Sequence, residues 1–276
     1  MVLTACIAVT AGCGGGTTAD RVAGLSPDEI LRQSATATDA LDAFRVAVDA
    51  TVQADVAPGT LPKLLGDALR DPVTLTGEGP VDGGAASFDF DAKVAGLPSL
   101  QGNVTKVDGE LFAGVLLTEY RVGFPAAQVA AVMPGRLAHG LLSWATGPAE
   151  VGREAVDGVP TVHLTATVDA AQALSDIAPA FEAIQGTRLS AGARRQLEDA
   201  FATNALDLWI GIDDLLPRRI TAELGYTGGV DTLRALRKGS LELDVRFTRL
   251  GERTTITPPE TTNVLDLARL LDLADR

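Results

Sequence analysis

Cysteine is nearly missing from this chain of 276 residues: Cys6 and Cys13 stand near its start, and none follows. That excludes a disulfide framework for the folded body. Aromatic residues are only 4% of a sequence that is 46% hydrophobic, so Val, Leu and Ala must do most of the burying. Positive charge is scarce as well. A formal net charge of −13 repels phosphate backbones and argues against nucleic acid as a partner. No basic cluster is present to hold the chain on an anionic bilayer, so membrane attachment needs another source. Histidine is limited to His139 and His163, which do not form a metal-binding His-x-x-x-His spacing. No Gly-x-Ser-x-Gly elbow occurs either. Neither a catalytic centre, a metal site nor a cofactor is expected, and the protein is read as no enzyme.

What the sequence does have is alternation. From Arg45 to Val56, Val46, Val48, Ala50, Val52, Ala54 and Val56 are apolar, and polar residues separate them apart from Ala47. Such a pattern makes a strand with one dry and one wet face. The run is about twice the usual strand length of roughly 5–6 residues. At roughly 3.3 Å per residue it spans about 40 Å, too long to stay flat in a twisting sheet.

The first thirteen residues are apolar or small and carry no charged side chain. Thr10-Ala11-Gly12-Cys13 has small residues ahead of a cysteine, with Gly14-Gly15-Gly16 as a tether behind it. This spelling is that of a bacterial lipoprotein signal cut before Cys13, whose thiol then carries lipid. Leu3-Thr4-Ala5-Cys6 also matches that spelling but has almost no apolar stretch before it, so Cys13 is preferred and Cys6 is the alternative. Both lack the basic n-region of a signal. The expected organisation is a signal segment over 1–12, a flexible tether over 13–24 and one domain over 25–276.

The domain opens with Ser26-Pro27-Asp28-Glu29, a capping box with Pro at the first helical position. Ile30, Ala37, Leu41 and Phe44 form the apolar face of that helix, interrupted by Ser34. Leucine spacing predicts a short helix inside an insertion at Pro58–Asp71. Strands are expected at about 73–79, 86–94 and 100–107, with Gly77, Gly79, Gly83 and Gly84 marking a turn. Asp108-Gly109 and Asp157-Gly158 each predict a two-residue hairpin turn. Helices are expected near Phe124, over Pro134–Trp144, over Ala170–Phe181 and over Ser190–Thr203. Alternation returns at Leu206–Ile212, Ile220–Tyr226 and Leu241–Phe247, with a charged connector over Asp231–Lys238. A short strand at Thr254–Thr257 and an amphipathic helix at Asn263–Ala274 finish the chain. Asp213-Asp214 reads as a solvated turn, and Asp89 and Asp91 share a wet strand face. Trp144 falls on an apolar helical face, where core packing and a pocket wall are the alternatives; Trp209 sits opposite its strand's apolar residues.

About ten one-sided strands imply an antiparallel sheet with one solvated face, and helices must cover the other. The fold class is therefore α+β. The order of parts resembles the mycobacterial LppX/LprAFG lipoproteins, which share the LolA/LolB-like fold. The resemblance rests on the lipobox-like Thr10–Cys13, the capped first helix and the Val107–Phe112 hairpin. It also rests on Gly152–Val159, on Leu208-Trp209-Ile210 with Leu216-Pro217-Arg218, and on the ending Ile256-Thr257-Pro258-Pro259. It implies a large curved antiparallel sheet, an unclosed half-barrel, wrapped around helices. Between the two, the family holds acyl chains of lipids or glycolipids and carries or presents them in the cell envelope. The implied place is the extracytoplasmic face of the cell membrane, through N-terminal acylation, with an envelope transporter as a further partner. Face and periodicity nominate Val46, Val48, Phe88, Phe90, Leu137, Leu141, Trp144, Ile177 and Phe181 as the cavity wall. The insertion at Pro58–Asp71 and the helix at Asn263–Ala274 depart from the family pattern. Either would plug or lid a cavity, so a lipid-anchored structural protein with a filled interior is the alternative.

Overall fold

A computed structural model describes residues 20–56, 70–115, 118–123, 134–176, 190–227 and 236–265. Helix α1 (Pro27–Asp39) starts as its sequence demands. The Ser26 hydroxyl accepts from the Glu29 backbone N–H, and Glu29 accepts from the Ser26 N–H at 2.8 Å. Those two bonds from Ser26 hold the Glu29 carboxyl below its usual range. Ile30, Leu31, Ser34 and Thr38 are its buried stripe.

The long alternating run is β1 (Ala43–Val56), the centre of the sheet. On one side, β2 (Val73–Asp82), β3 (Ala85–Lys93), β4 (Leu100–Val107), β5 (Glu110–Val115) and β6 (Thr118–Val122) follow as an antiparallel meander. Helix α2 (Pro134–Trp144) then leads to the other edge. From there β7 (Ala145–Val156), β8 (Val159–Val168), β9 (Phe201–Gly211), β10 (Pro217–Tyr226) and β11 (Leu236–Thr248) walk back to β1. Helix α3, described over 170–176, and α4 (Ala191–Ala200) lie between β8 and β9. Among the described residues, twelve strands form one sheet, in the order β12-β6-β5-β4-β3-β2-β1-β11-β10-β9-β8-β7, with β12 and β7 as its edges. The two-residue turns hold as read: Asp108 and Gly109 have φ of 52° and 80°, Asp157 and Gly158 have 50° and 81°. Positive φ at both central positions matches the twist of the flanking strands.

Helices α1 and α2 cover one face of the sheet, called here the inner face. Val46, Val162, Leu164, Leu206, Leu208, Ile210 and Ile220 are at most 1% exposed there, packed with Ile30, Leu141 and Leu142. The core is aliphatic, as the shortage of aromatics requires.

Several expectations need correction. Residues 20–24 do not belong to a free tether: Val22 is 2% exposed, Arg21 N–H donates to the Ile212 carbonyl at 2.7 Å, and Asp20 pairs with Arg153 at 2.6 Å. Gly77 and Gly79 lie inside β2 rather than in a turn. At Gly79 the backbone of Ser87 comes so close that an added Cβ would overlap its carbonyl oxygen, which explains the glycine. Helix α4 stops at Ala200, and Phe201 already belongs to β9. Leu236–Lys238 belong to β11 rather than to a connector.

No strand forms at 254–257. The Thr254 N–H goes to the Asp82 carboxylate at 2.8 Å instead of a neighbouring strand, and Pro258 and Pro259 lack donors. The segment runs as a strap, tied by Thr261 Oγ1 to the Glu119 carbonyl at 2.7 Å. Val264 and Leu265 then form β12, parallel to β6, where a helix was expected. The open edge of β6 decides this: the N–H groups of Arg121 and Gly123 donate to the carbonyls of Asn263 and Leu265. The helix at Pro58–Asp71, except for Arg70 and Asp71, the one near Phe124 and the remainder of Asn263–Ala274 lie outside the described residues.

Ser34 is fully buried in α1, and its hydroxyl has no hydrogen-bond partner among the described residues. Leaving such a group unpaired costs roughly 1–3 kcal/mol. Ser34→Ala is therefore expected to raise stability by about 1 kcal/mol, read as a higher midpoint in urea unfolding. Leu208→Ala, at a position 0% exposed, is expected to lose roughly 2–5 kcal/mol in the same measurement.

Candidate ligand-binding face

The inner face is dressed unevenly. Near the turns that join β2 to β3 and β9 to β10, it lies under α1 and α2 and is filled. Further along β1 to β4 the same face stays apolar but is more exposed among the described residues. Ala50, Leu75, Ala92 and Leu100 stand side by side in register across β1 to β4. Leu75 is 41% and Leu100 43% exposed, and Val52, two residues beyond Ala50 on β1, is 38% exposed. Scattered single exposed side chains are ordinary, whereas a continuous apolar row is the kind of surface that binds something. One row nearer the core come Val48, Gly77, Phe90 and Gly102, also in register. The Phe90 ring lies across Gly102, where an added Cβ would stand 2.7 Å from it. The missing side chain lets the ring lie down and keeps this part of the wall low.

The nominated wall residues are distributed along this gradient. Val46, Leu141 and Trp144 are 1%, 3% and 8% exposed, within the filled part. Val48 and Phe88 are half-buried against the same core, and Phe90 is half-buried further out. Leu137 lies in α2, but its side chain, like Ile177 and Phe181, falls outside the described residues, as do Cys6 and Cys13. Trp144 has a second tie besides packing: its indole N–H donates to Asp176 at 2.7 Å, joining α2 to α3. Leu75, Ala92 and Leu100 were not nominated from the sequence. The signal existed in the alternation, but turning it into a row needs the strand register, which alternation alone does not supply.

The outer face is a charge-laced ladder. The His163 ring stacks on Trp209 with centroids 4.3 Å apart and planes at 13°. His163 Nε2 is 2.8 Å from Asp207, and its Nδ1 is 3.4 Å from Glu154. The Trp209 indole donates to Glu154 at 2.5 Å, and the Arg219 guanidinium sits 4.9 Å from the Trp209 ring centre. Arg219 in turn grips Asp244 with two bonds of 3.0 and 2.8 Å, and Arg246 adds a third at 3.0 Å. Burial pushes the Asp244 carboxyl up, but the bonds from the two arginines outweigh it and leave the group below its usual range. His139, the other histidine, meets Asp39 at 2.6 Å and so links α2 to α1. Asp214 is held by Arg218 and accepts from the Leu216 N–H at 3.0 Å, which makes Asp213-Asp214 a structured turn. Among the described residues, no group of three or more His, Cys, Asp or Glu side chains is placed to hold a metal ion. Nor is any helix there long and apolar enough to cross a membrane.

The sheet order and the face under α1 and α2 can be set beside solved structures. LprF from Mycobacterium bovis matches 86% of this chain and 99% of its own, at 18% identity and a TM-score of 0.51. The chain shares the fold of LprF. The resemblance read from the sequence is met at that level: a large unclosed antiparallel sheet with a few helices. LppX from Mycobacterium tuberculosis also aligns, over 84% of this chain and 100% of its own, at 17% identity and a TM-score of 0.43. A LolA superfamily protein from Nitrosomonas europaea aligns over 84% and 96%, at 11% identity and a TM-score of 0.24. No family model matches the sequence, and no curated protein does.

The ladder makes a statement about acid. Asp244 has a lowered pKa in the folded state, so its stabilising effect is present above the unfolded carboxylate value of roughly 3.9 and is lost as pH falls through the lower folded value. Asp244→Asn is expected to flatten the fall in stability below about pH 4, measured as unfolding midpoint against pH.

Proposed function

We propose that this protein is a lipid-anchored lipoprotein of the cell envelope that holds the acyl chains of a lipid or glycolipid against its inner sheet face and carries or presents them. The observation that supports this most is the exposed register row of Ala50, Leu75, Ala92 and Leu100 beside Val52. On a fold shared with a mycobacterial protein named LprF, such a row offers acyl chains a place to leave water. Each methylene buried contributes roughly 0.8 kcal/mol, so a chain of about 16 carbons offers on the order of 10 kcal/mol before ordering costs. No polar motif is required, and no bond is made or broken. The wall in this reading runs from Val48, Phe88 and Phe90 toward the exposed row, with Leu137, Ile177 and Phe181 as further members.

Anchoring rests on Cys13, with Cys6 as the alternative. Cys13 stands seven residues before Asp20, a reach of at most roughly 25 Å. The domain would therefore ride close to the extracytoplasmic face of the membrane, within reach of a transporter that loads or unloads it.

A second reading has its own support. Val46, Leu141 and Trp144, all nominated as cavity wall, are at most 8% exposed. A structural lipoprotein with a filled interior would look like this near α1 and α2. Native mass spectrometry of the chain with Cys6 and Cys13 changed to Ser separates the two. A co-purified lipid, lost on changing Leu75 and Leu100 together to Asp, is the expected result. Bare protein that also refuses added lipid would favour the filled structural protein.

A further inference from the structure

The exposed part of the inner face has relief, and the relief runs across the strands. One register row there reads Val48, Gly77, Phe90 and Gly102 from β1 to β4. Two of its four positions have no side chain, and the Phe90 ring between them is laid along the row, over Gly102. The three atoms nearest to an added Cβ at Gly77 all belong to β3, the farthest being Phe88 Cδ1 at 3.9 Å. Among the described residues, no atom of α1 or α2 comes closer to that point. From β2 to β4 the row is therefore a low floor about 10 Å long, at roughly 4.8 Å per strand. On one side of it Leu75 and Leu100 rise from the next row, 41% and 43% exposed. On the other side stand Phe88 and Val104, in register with each other and half-buried.

The cover over this floor also changes across the strands. Continued past Val48, the row reads Val245 on β11 and Ile220 on β10, which are 3% and 0% exposed. The next row behaves alike. Beyond Ala50 come Leu243, Ala222 and Leu206, the last two 2% and 0% exposed. Cover thus thickens from β4 toward β10, at right angles to the strands. The floor is closed at its β1 end, where Val48 rises in front of Val245, and is more open toward β4.

We infer that an acyl chain lies across the strands here, along Val48, Gly77, Phe90 and Gly102, and that Gly77 and Phe90 select a thin, flexible chain against a rigid ring system. The inference rests on the lipid reading of this face and adds the lie and the shape of its cargo. The tip of the chain meets Val48 at the closed end, and the polar head leaves past β4 into water. A polymethylene chain turns at each single bond and so follows a floor between Leu75 and Phe88. A fused-ring amphiphile is a stiff plate. It rides on Leu75 and Leu100 and leaves the floor beneath it unfilled, which forfeits the contacts of both surfaces around the gap. Charge has no part in the choice, since every residue of the floor and its sides is apolar or glycine.

The test uses the full chain with Cys6 and Cys13 changed to Ser, so that no acyl group is added. Palmitic acid and cholesteryl hemisuccinate each carry one carboxylate, so comparing them isolates the shape of the apolar part. Palmitic acid is expected to bind at least about tenfold tighter in a titration, the value of roughly two buried methylenes. Gly77→Val raises the floor while adding apolar surface, and is expected to weaken palmitic acid binding about tenfold. Gly77→Ala should keep the fold and give a smaller loss, since its Cβ meets a carbonyl oxygen at 3.2 Å and two Phe carbons at 3.7 and 3.9 Å. A face that is merely apolar predicts the opposite sign, because both changes add apolar surface. Unchanged or tighter palmitic acid binding in these variants overturns the crosswise lie and leaves the lipid reading standing. Equal binding of the two amphiphiles by the parent overturns the selection by shape in the same way. Failure of both to bind overturns the lipid reading and this inference with it.

Discussion

One strand pairing holds the two halves of the molecule together. β1 runs antiparallel to β11 from Arg45 opposite Thr248 to Val56 opposite Leu236, almost its whole length. The remaining antiparallel pairs in the sheet join strands that are neighbours in sequence, through hairpins or through the helices between β8 and β9. Without the pairing of β1 with β11 there would be two separate meanders. With it, rows of side chains run without a break from β4 through β1 to β8. The pairing brings together residues about two hundred positions apart, so its closure entropy must be met before its contacts form. Such a topology folds slowly and exposes strand edges meanwhile. The strap and β12 cover one of those edges. At the other, Gly147, Pro148 and two register shifts interrupt β7, which weakens it as a template for foreign strands.

Because the rows are continuous, the inner face works as one surface with a gradient along the strands. At the turn end, Val46, Leu164, Leu208 and Ile220 are at most 1% exposed, and the space is spent on stability. At the far end Val52, Leu75 and Leu100 are left half in water. Nothing in the strands' own chemistry separates the two ends, since Val and Leu occupy both. Among the described residues the difference follows the reach of α1 and α2, and Gly77 and Gly102 thin the wall between the two ends. The division between filled core and open face is thus a property of helix length and placement.

This explains what could be read in advance. The alternation at Arg45–Val56 was enough for β1, and the capping box was enough for the start of α1, because both are local. Asp108-Gly109 and Asp157-Gly158 were legible for the same reason: few turns suit that pair. The unclosed sheet followed from one-sided strands and from the order of weak motifs. The errors were at places where a distant partner decided. Val264 and Leu265 begin a run whose apolar spacing reads as a helix, but the bare edge of β6 claimed them. Val22 sits in a stretch that reads as linker, but the carbonyl of Ile212 and the guanidinium of Arg153 hold it down. The row Ala50–Leu75–Ala92–Leu100 was invisible because a strand shows its face in sequence and hides its register.

The two faces also divide the labour of charge. On the outer face, Arg219 and Arg246 are matched to Asp244, and His163 to Asp207, within one layer of side chains. The inner face has almost no charge at all. Charge gives a tail lying on it no reason to lie one way rather than the other. The two ends of the face differ in cover: α1, α2 and the turn after β9 lie at one, and exposed Val52, Leu75 and Leu100 at the other. Whatever meets the exposed rows does so without unpacking the core beneath α1 and α2, which is closed at Val46, Leu164, Leu208 and Ile220.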